Sequence, residues 1–127
     1  QMMQKGSNEI ILDAYNANPS SMDAALENFM QLEGNEKIAI LGDMFELGAE
    51  SPQEHKKLID KLTANNDIEI YFVGKDFYNN KSLHPHLRYF ETFDSFKEYF
   101  SDIKPKNKII LIKGSRGMAL ERTLEII

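Results

Sequence analysis

The chain alternates short apolar runs with longer segments in which apolar residues recur every three or four positions. The apolar runs predict buried β-strands at Asn8–Leu12, Lys37–Leu41, Ile68–Val73, Leu87–Glu91 and Lys108–Ile112. The periodic segments predict amphipathic helices that begin near Pro19, Ser51, Thr92 and Met118. Because strands and helices alternate, the pattern predicts an α/β fold, a Rossmann-like, doubly wound, mostly parallel sheet of about five or six strands with helices on both faces.

Local signals mark where two of these helices start. Asn18 suits an N-cap, because its side chain can accept an N–H of the first turn, and Pro19 then occupies a position where no N–H is needed. The segment Ser51-Pro52-Gln53-Glu54 has the pattern of a capping box and predicts a second helix start. The last helix is predicted from Met118 to Ile127.

The domain organisation follows from the same pattern. We assign residues 8–127 to one domain and residues 1–7 to the remnant of a linker from a preceding domain. The chain begins with Gln rather than Met, so we expect it to be a fragment of something longer.

Composition narrows the classes of partner. The chain is 42% hydrophobic and 28% charged, which is typical of a globular protein. Its net charge of -5 argues against nucleic-acid binding, because phosphates require a basic face. No apolar run approaches the ~20 residues that a membrane-spanning helix needs. The absence of cysteine fits a reducing compartment. We therefore expect a cytoplasmic protein with neither nucleic acid nor membrane as a partner.

Three polar clusters follow predicted strands, at Asp13–Asn18, Gly42–Gly48 and Lys113–Arg116. In an open parallel α/β sheet, ligands bind beyond the carboxyl ends of the strands. The loops expected at the opposite edge contain ordinary turn residues. This asymmetry predicts a binding site at the carboxyl edge.

The first two clusters each allow two interpretations. Asp13 and Asn16 could bind a ribose or a base, with Tyr15 beside them and Asn18 capping the helix, or all four could only shape a turn. In the second cluster, Asp43 and Glu46 could attract an ammonium group while Met44 and Leu47 cover its apolar part. Alternatively, these carboxylates are solvated and the apolar side chains close the end of the sheet.

The third cluster predicts an anion site. Lys113, Ser115 and Arg116 bring two cations and a hydroxyl to a predicted helix start, which suits a carboxylate or a phosphate. Cations at a helix start oppose the helix dipole, so a compensating anion is expected nearby. The chain contains no G-x-x-x-x-G-K-[ST] motif, so this is not a Walker A loop.

Histidines are weaker candidates. His55, in the first turn of the second predicted helix, could touch a ligand, but partly exposed helix surface is the expected state. His84-Pro85-His86 has no evident further metal ligands and is expected to be a loop. We expect no metal site in this chain.

Taken in order, the three clusters and His55 closely resemble the carboxy-terminal domain of the bacterial Mur ligases. The resemblance runs from about Ile10 to Ile127 and is strongest to the branch that adds D-alanyl-D-alanine to UDP-N-acetylmuramoyl-tripeptide. The resemblance implies a three-domain enzyme of peptidoglycan synthesis that uses ATP and Mg²⁺ to activate the tripeptide carboxylate as an acyl phosphate. The dipeptide amine then attacks to form an amide bond.

The resemblance also implies roles for individual residues. Asp13, Tyr15 and Asn16 would face the nucleotide; Lys113, Ser115 and Arg116 would hold the dipeptide carboxylate; and Asp43–Leu47 would line that pocket. The P-loop and the carbamylated lysine of the family lie in domains outside this chain. We therefore expect the isolated domain to be inactive and to bind neither ligand strongly. The alternatives are a non-catalytic nucleotide-binding or small-molecule-binding module and the equivalent domain of a ligase for another amino acid.

Overall fold

A six-stranded sheet with the order β1-β2-β6-β3-β4-β5 organises the molecule. The computed structural model describes residues 1–127. The strands are β1 (Met2–Lys5), β2 (Asn8–Asp13), β3 (Glu36–Gly42), β4 (Glu69–Val73), β5 (Leu87–Phe90) and β6 (Lys108–Lys113). Only the β1–β2 pair is antiparallel. This architecture confirms the predicted doubly wound, mostly parallel α/β fold.

Four α-helices connect or flank the strands. They are α1 (Pro19–Gln31), α2 (Ser51–Leu62), α3 (Lys75–Asn79) and α4 (Phe93–Phe100). Alternate strand residues point to opposite faces of the sheet. Leu41, Phe72 and Leu111 pack in a cluster with α1, α2 and α3, whereas Ile40, Tyr71 and Ile112 pack in a second cluster with α4 and the carboxy-terminal segment. The sheet is therefore covered on both faces, as a doubly wound fold requires.

The two predicted helix starts differ in the structure. Asn18 caps α1: its side chain accepts the Ser21 N–H at 2.9 Å, and Ser21 Oγ accepts the Asn18 N–H at 3.0 Å. The capping box predicted at Ser51 is absent, because a 3-10 turn at Gly48–Glu50 leads directly into α2. Ser51 is therefore the first residue of α2 and has helical backbone, instead of capping the helix from outside.

Three further segments differ from the sequence-based predictions. Met2–Lys5, within the segment assigned to a linker, pairs with β2 as an edge strand. The short helix α3 was not predicted. The carboxy-terminal segment is not an α-helix: it forms 3-10 turns at Arg116–Met118 and Leu120–Ile126, separated by Ala119 in a left-handed conformation (φ 52°). A residue other than glycine at that φ interrupts regular α-helical hydrogen bonding.

Strand β6 marks the switch point of the sheet. The helices that follow β2, β3 and β4 cover one face, whereas the helix before β6 and the segment after it cover the other. A crevice opens at the carboxyl edge between two neighbouring strands when the segments that follow them cross to opposite faces of the sheet. Such crevices are therefore expected on both sides of β6. No helix of the protein is both long enough and apolar enough to cross a membrane.

Candidate functional site

The ends of β2 and β6 are joined by a largely buried ion pair. The Lys113 ammonium lies 2.6 Å from Asp13 Oδ2 and donates to the Asn16 carbonyl at 2.9 Å. The Lys113 side chain is 1% exposed, whereas that of Asp13 is 44% exposed. The compensating anion expected for this cation is therefore within the chain. Ligand binding by Lys113 stays a prediction, and two of its donors already have protein partners.

Ser115 connects the first and second polar clusters. Its N–H donates to the Asp43 carbonyl at 3.1 Å, and its hydroxyl oxygen accepts the Phe45 N–H at 2.8 Å. The same hydroxyl donates to the Ala17 carbonyl at 3.4 Å. The three clusters predicted from sequence thus meet at one place, with buried Ser115 between them.

The Asp43 carboxylate faces into the protein. Its oxygens accept the N–H groups of Asp76 at 2.9 Å and Phe77 at 3.0 Å, at the start of α3. Burial raises the pKa of the Asp43 carboxyl, and these hydrogen bonds only partly oppose the shift. Gly74 (φ 131°) makes this contact possible, because a Cβ there would collide with the carboxylate. Asp43 therefore anchors α3, and its predicted attraction of a ligand ammonium has no direct support in this geometry.

His55 is fully buried beneath the Met44–Leu47 loop, so the expectation of a partly exposed helix residue is wrong. Its Nε2 accepts the Met44 N–H at 3.0 Å, and its Nδ1 lies 2.8 Å from the Ser51 carbonyl. Because the amide can only donate and the carbonyl can only accept, the partners assign the proton to Nδ1. The ring also packs edge-on against Phe77, with centroids 4.6 Å apart. His55 supports the loop rather than facing a ligand.

The remaining predicted residues of the second cluster differ in exposure. Met44 is buried in the core, Leu47 is half-buried and Glu46 is exposed. Glu46 has a φ of 66°, so the loop turns sharply at this residue.

Tyr15, Asn16 and Arg116 are exposed on the β2 side of β6. The Arg116 guanidinium lies 4.9 Å from the centroid of the Tyr15 ring, which is 70% exposed. Together with Asp13, this pair lines a shallow cavity of about 370 Å³. The aromatic face and the cation suit a ligand with a planar group and a negative charge, whereas the carboxylates of Asp13 and Glu121, which also line the cavity, suit hydroxyl or amine donors.

A second cavity of about 420 Å³ opens on the β3–β4 side of β6. Its walls include Phe45, Phe93, Lys75, Glu91 and Arg122, together with Asp43 of the second cluster. The Arg122 guanidinium lies 4.0 Å from the Phe93 ring centroid and donates to the carbonyls of Met118 and Ala119.

The sequence-based assignment of Asp43–Leu47 to the site included Asp43 and Phe45 of this cavity, but Lys75, Glu91, Phe93 and Arg122 were not assigned. Lys75 could have been predicted as a site residue from the sequence, because it follows β4 at the same carboxyl edge. Arg122 was not, because its position depends on the 3-10 geometry of the carboxy-terminal segment.

The donor atoms of Asp43, His55 and Asp76 lie within 4.8 Å of one another, a spacing that a metal ion could bridge. However, the Asp43 oxygens accept two backbone N–H groups, and His55 Nε2 accepts a third. A metal ion would have to displace these buried hydrogen bonds. The group therefore does not fit Mg²⁺, which prefers oxygen ligands and retains water.

A polar site at a switch point of a doubly wound sheet defines the class of Rossmann-like domains that bind nucleotides or small substrates. A family model described as "Mur ligase, glutamate ligase domain" matches residues 1–116. The chain belongs to this family, which confirms the resemblance found in the sequence.

Curated relatives and solved structures agree with this family. UDP-N-acetylmuramoyl-tripeptide–D-alanyl-D-alanine ligase of Rickettsia prowazekii is 32% identical over 122 residues, covering 94% of this chain and 27% of the relative. The ligase of that name from Bacillus subtilis is 34% identical over 125 residues, covering 91% and 27%.

MurF from Acinetobacter baumannii superposes with a TM-score of 0.85 at 32% identity, covering 98% of this chain and 28% of that one. MurF ligase from Thermotoga maritima, in complex with ADP, has a TM-score of 0.79 at 25% identity, covering 98% and 29%. This chain therefore spans somewhat more than a quarter of the length of the relatives it matches.

Proposed function

We propose that this chain is the carboxy-terminal domain of an ATP-dependent ligase that joins D-alanyl-D-alanine to UDP-N-acetylmuramoyl-tripeptide in the bacterial cytoplasm. One observation carries the proposal: three strand-end segments meet at β6 and leave a cavity on each side of it. In the reaction, the tripeptide carboxylate takes a phosphoryl group from ATP, releasing ADP. The dipeptide amine then displaces phosphate and forms the amide bond. Two neighbouring cavities suit a domain that brings a nucleotide and an amine together.

We assign the nucleotide to the β2-side cavity. Asp13 uses Oδ2 for Lys113, and its other oxygen remains available to accept from a ribose hydroxyl. The exposed Tyr15 ring offers a stacking surface, and the exposed Asn16 amide can both donate and accept. Arg116, held over Tyr15, adds a cation for an anionic ligand. This keeps the predicted nucleotide contacts and places Arg116 with them.

We assign the dipeptide to the β3–β4-side cavity. Phe45 and Phe93 provide apolar walls for its two methyl groups, Lys75 and Arg122 provide cations for its carboxylate, and Glu91 provides an anion for its amino end. This differs from the sequence-based expectation that Lys113 and Arg116 bind the carboxylate. The difference arises because Lys113 is paired with Asp13. In this assignment, Lys113 and Ser115 shape the wall between the two cavities.

We assign the residues that bind the ATP phosphates and Mg²⁺ to other domains of a longer enzyme. The family resemblance assigns the ATP phosphates to a P-loop, and no such motif is present in the 127 residues. The clustered donors of this chain do not fit Mg²⁺, so we place the ion on residues of another domain. No catalytic residue is assigned here, and the 127 residues alone are expected to release no ADP when D-alanyl-D-alanine is added.

An NMR titration of the isotopically labelled chain tests the two-cavity assignment. Millimolar D-alanyl-D-alanine should shift the amide signals of Phe45, Lys75 and Phe93, whereas ADP should shift those of Tyr15 and Asn16. L-alanyl-L-alanine is the matched control and should give much smaller shifts. Equal shifts with both dipeptides, or dipeptide shifts confined to Tyr15 and Asn16, would contradict the assignment.

Kinetics of a longer enzyme that contains this domain test the same division. Lys75→Ala should raise the KM for the dipeptide by about tenfold while leaving that for ATP unchanged, because one charge-assisted contact is lost. Lys106→Ala, an exposed cation at the opposite edge of the sheet, is the matched control. Equal effects of Lys75→Ala on both KM values would refute the assignment.

A further inference from the structure

We propose that the open edge of β5 binds an extended, acidic segment of a partner protein, which adds to the sheet as a further strand. This surface lies at the lateral end of the sheet and shares no lining residue with the cavities beside β6. A separate cavity of about 420 Å³ runs along it, lined by Tyr78, Lys81, Leu83, Arg88, Tyr89 and Tyr99 among others. The proposal does not depend on the ligase assignment.

The backbone of β5 is available for pairing. β5 is the last strand of the sheet and pairs only with β4. The N–H groups of Ile70 and Gly74 donate to the carbonyls of His86, directly before β5, and of Phe90, so the even-numbered residues of this segment direct their backbone groups to β4. By the alternation of a parallel ladder, Tyr89 between them directs its N–H and carbonyl to the open edge. An added strand can therefore pair at Tyr89.

The charges along this edge select an acidic partner. The Lys81 ammonium lies 3.7 Å from the Tyr78 ring centroid, and the Arg88 guanidinium lies 5.3 Å from that of Tyr99. Neither cation is in a salt bridge, and no carboxylate lines the cavity. Two cations without anionic partners complement a negatively charged segment.

The two cations also lie on opposite faces of the sheet. Lys81 lies on the α1–α3 face, over the ring of Tyr78 and beside Tyr89, which packs with the helices of that face. Arg88 lies on the α4 face, together with Phe90 and Tyr99. Successive side chains of an extended peptide point to opposite faces. Two neighbouring acidic residues of an added strand would therefore reach one cation each.

The surface offers a preformed apolar contact as well. Leu83 is 80% exposed, more than any other large apolar residue of the chain. The Tyr89 hydroxyl holds the adjoining loop by accepting the Ser82 N–H at 3.2 Å and donating to the Ser82 carbonyl at 2.8 Å. A loop held in place binds at lower entropic cost than a free one. A second copy of this chain fits less well, because pairing β5 with β5 would bring the Lys81 and Arg88 cations of both copies together with no anion between them.

Fluorescence anisotropy with two labelled peptides tests the proposal. The probe is Thr-Val-Asp-Glu-Val-Tyr-Val, and the control replaces its Asp and Glu by Asn and Gln. The acidic peptide should bind the 127-residue chain at least about tenfold more tightly, and less tightly as salt is raised. Lys81→Glu combined with Arg88→Glu should abolish this preference, whereas Lys106→Glu should leave it unchanged. Hydrogen exchange of the Tyr89 amide should slow when the acidic peptide is saturating.

Three results would overturn the proposal. They are the absence of saturable binding, equal affinity for the two peptides, and a Tyr89 amide that exchanges at the same rate with and without peptide. The peptide comparison uses the unmodified chain, so it does not depend on how the variants fold. If the chain alone formed a concentration-dependent dimer that the double variant lost, a second copy would be the occupant instead.

Discussion

Replacing Asp13 by Asn should destabilise the fold much more than replacing Lys113 by Met. The two side chains form one ion pair at 2.6 Å, but Lys113 is 1% exposed and Asp13 is 44% exposed. Asp13→Asn leaves a buried ammonium with no anion. Lys113→Met removes the charge, keeps an unbranched side chain of similar length and leaves a carboxylate that water can reach.

The expected costs follow from this asymmetry in burial. Removing one partner of a buried ion pair costs roughly 3–5 kcal/mol, because the other charge stays buried without compensation. We expect the lower end, about 3 kcal/mol, for Asp13→Asn, since the Asn16 carbonyl still accepts from Lys113. Replacing a buried charge by an apolar side chain of similar volume is often close to neutral, so Lys113→Met should cost about 1 kcal/mol or less.

Urea denaturation at neutral pH measures these differences as changes in the free energy of unfolding. The double variant Asp13→Asn, Lys113→Met should recover most of the loss, because it leaves no buried charge. Asp23→Asn is the matched control: it removes an exposed ion pair with Lys61 (2.9 Å) and should cost less than about 1 kcal/mol. If Lys113→Met proved as costly as Asp13→Asn, the cation itself would be required and the argument from desolvation would fail.

Three more changes test features around the site. Gly74→Ala should lower the free energy of unfolding in urea denaturation by more than about 2 kcal/mol, because its Cβ would collide with the Asp43 carboxylate and its φ is 131°. Gly48→Ala is the control: its φ is 61° but its Cβ would meet no atom, so it should cost only about 1 kcal/mol. Thr123→Val should raise Tm, corresponding to about 1 kcal/mol of stabilisation, since the Thr123 hydroxyl is buried without a hydrogen-bond partner. Burial raises the pKa of Asp43, so the folded state holds this proton more tightly than the unfolded state. The free energy of unfolding of the unmodified chain, relative to that of Asp43→Asn, should therefore fall as pH rises from the ordinary pKa of 3.8 through the raised pKa. A rise over this pH range would contradict the reasoning.

The sequence was sufficient to predict the layers of the fold and the edge of the sheet at which the three polar clusters meet. Apolar runs located the five parallel strands: β3, β4 and β6 are buried on both faces, and β2 and β5 are partly buried but keep apolar residues. Asn18 followed by Pro19 located the start of α1, because capping is local chemistry. The carboxyl-edge rule then brought the three polar clusters together, as their shared hydrogen bonds confirm.

Features that depend on strand order or on loop geometry could not be predicted in the same way. The pairing of Lys113 with Asp13 requires β6 to lie beside β2, a neighbour relation that no local pattern encodes. The burial of His55 requires the 3-10 turn before α2, which carries the Met44–Leu47 loop over the ring. The edge strand at Met2–Lys5 is short and mostly exposed, so it lacks the apolar signal of a buried strand.

The position of β6 has a consequence for how the domain is made. This strand is the last to be synthesised, yet it lies between β2 and β3 near the middle of the sheet. Until Lys108–Lys113 has left the ribosome, β2 has no parallel neighbour and Asp13 has no cation. Contacts across about 100 residues of chain form slowly, because a long loop must close first. A chain that stops short of β6 therefore lacks both a continuous sheet and the contacts that bring the three polar clusters together.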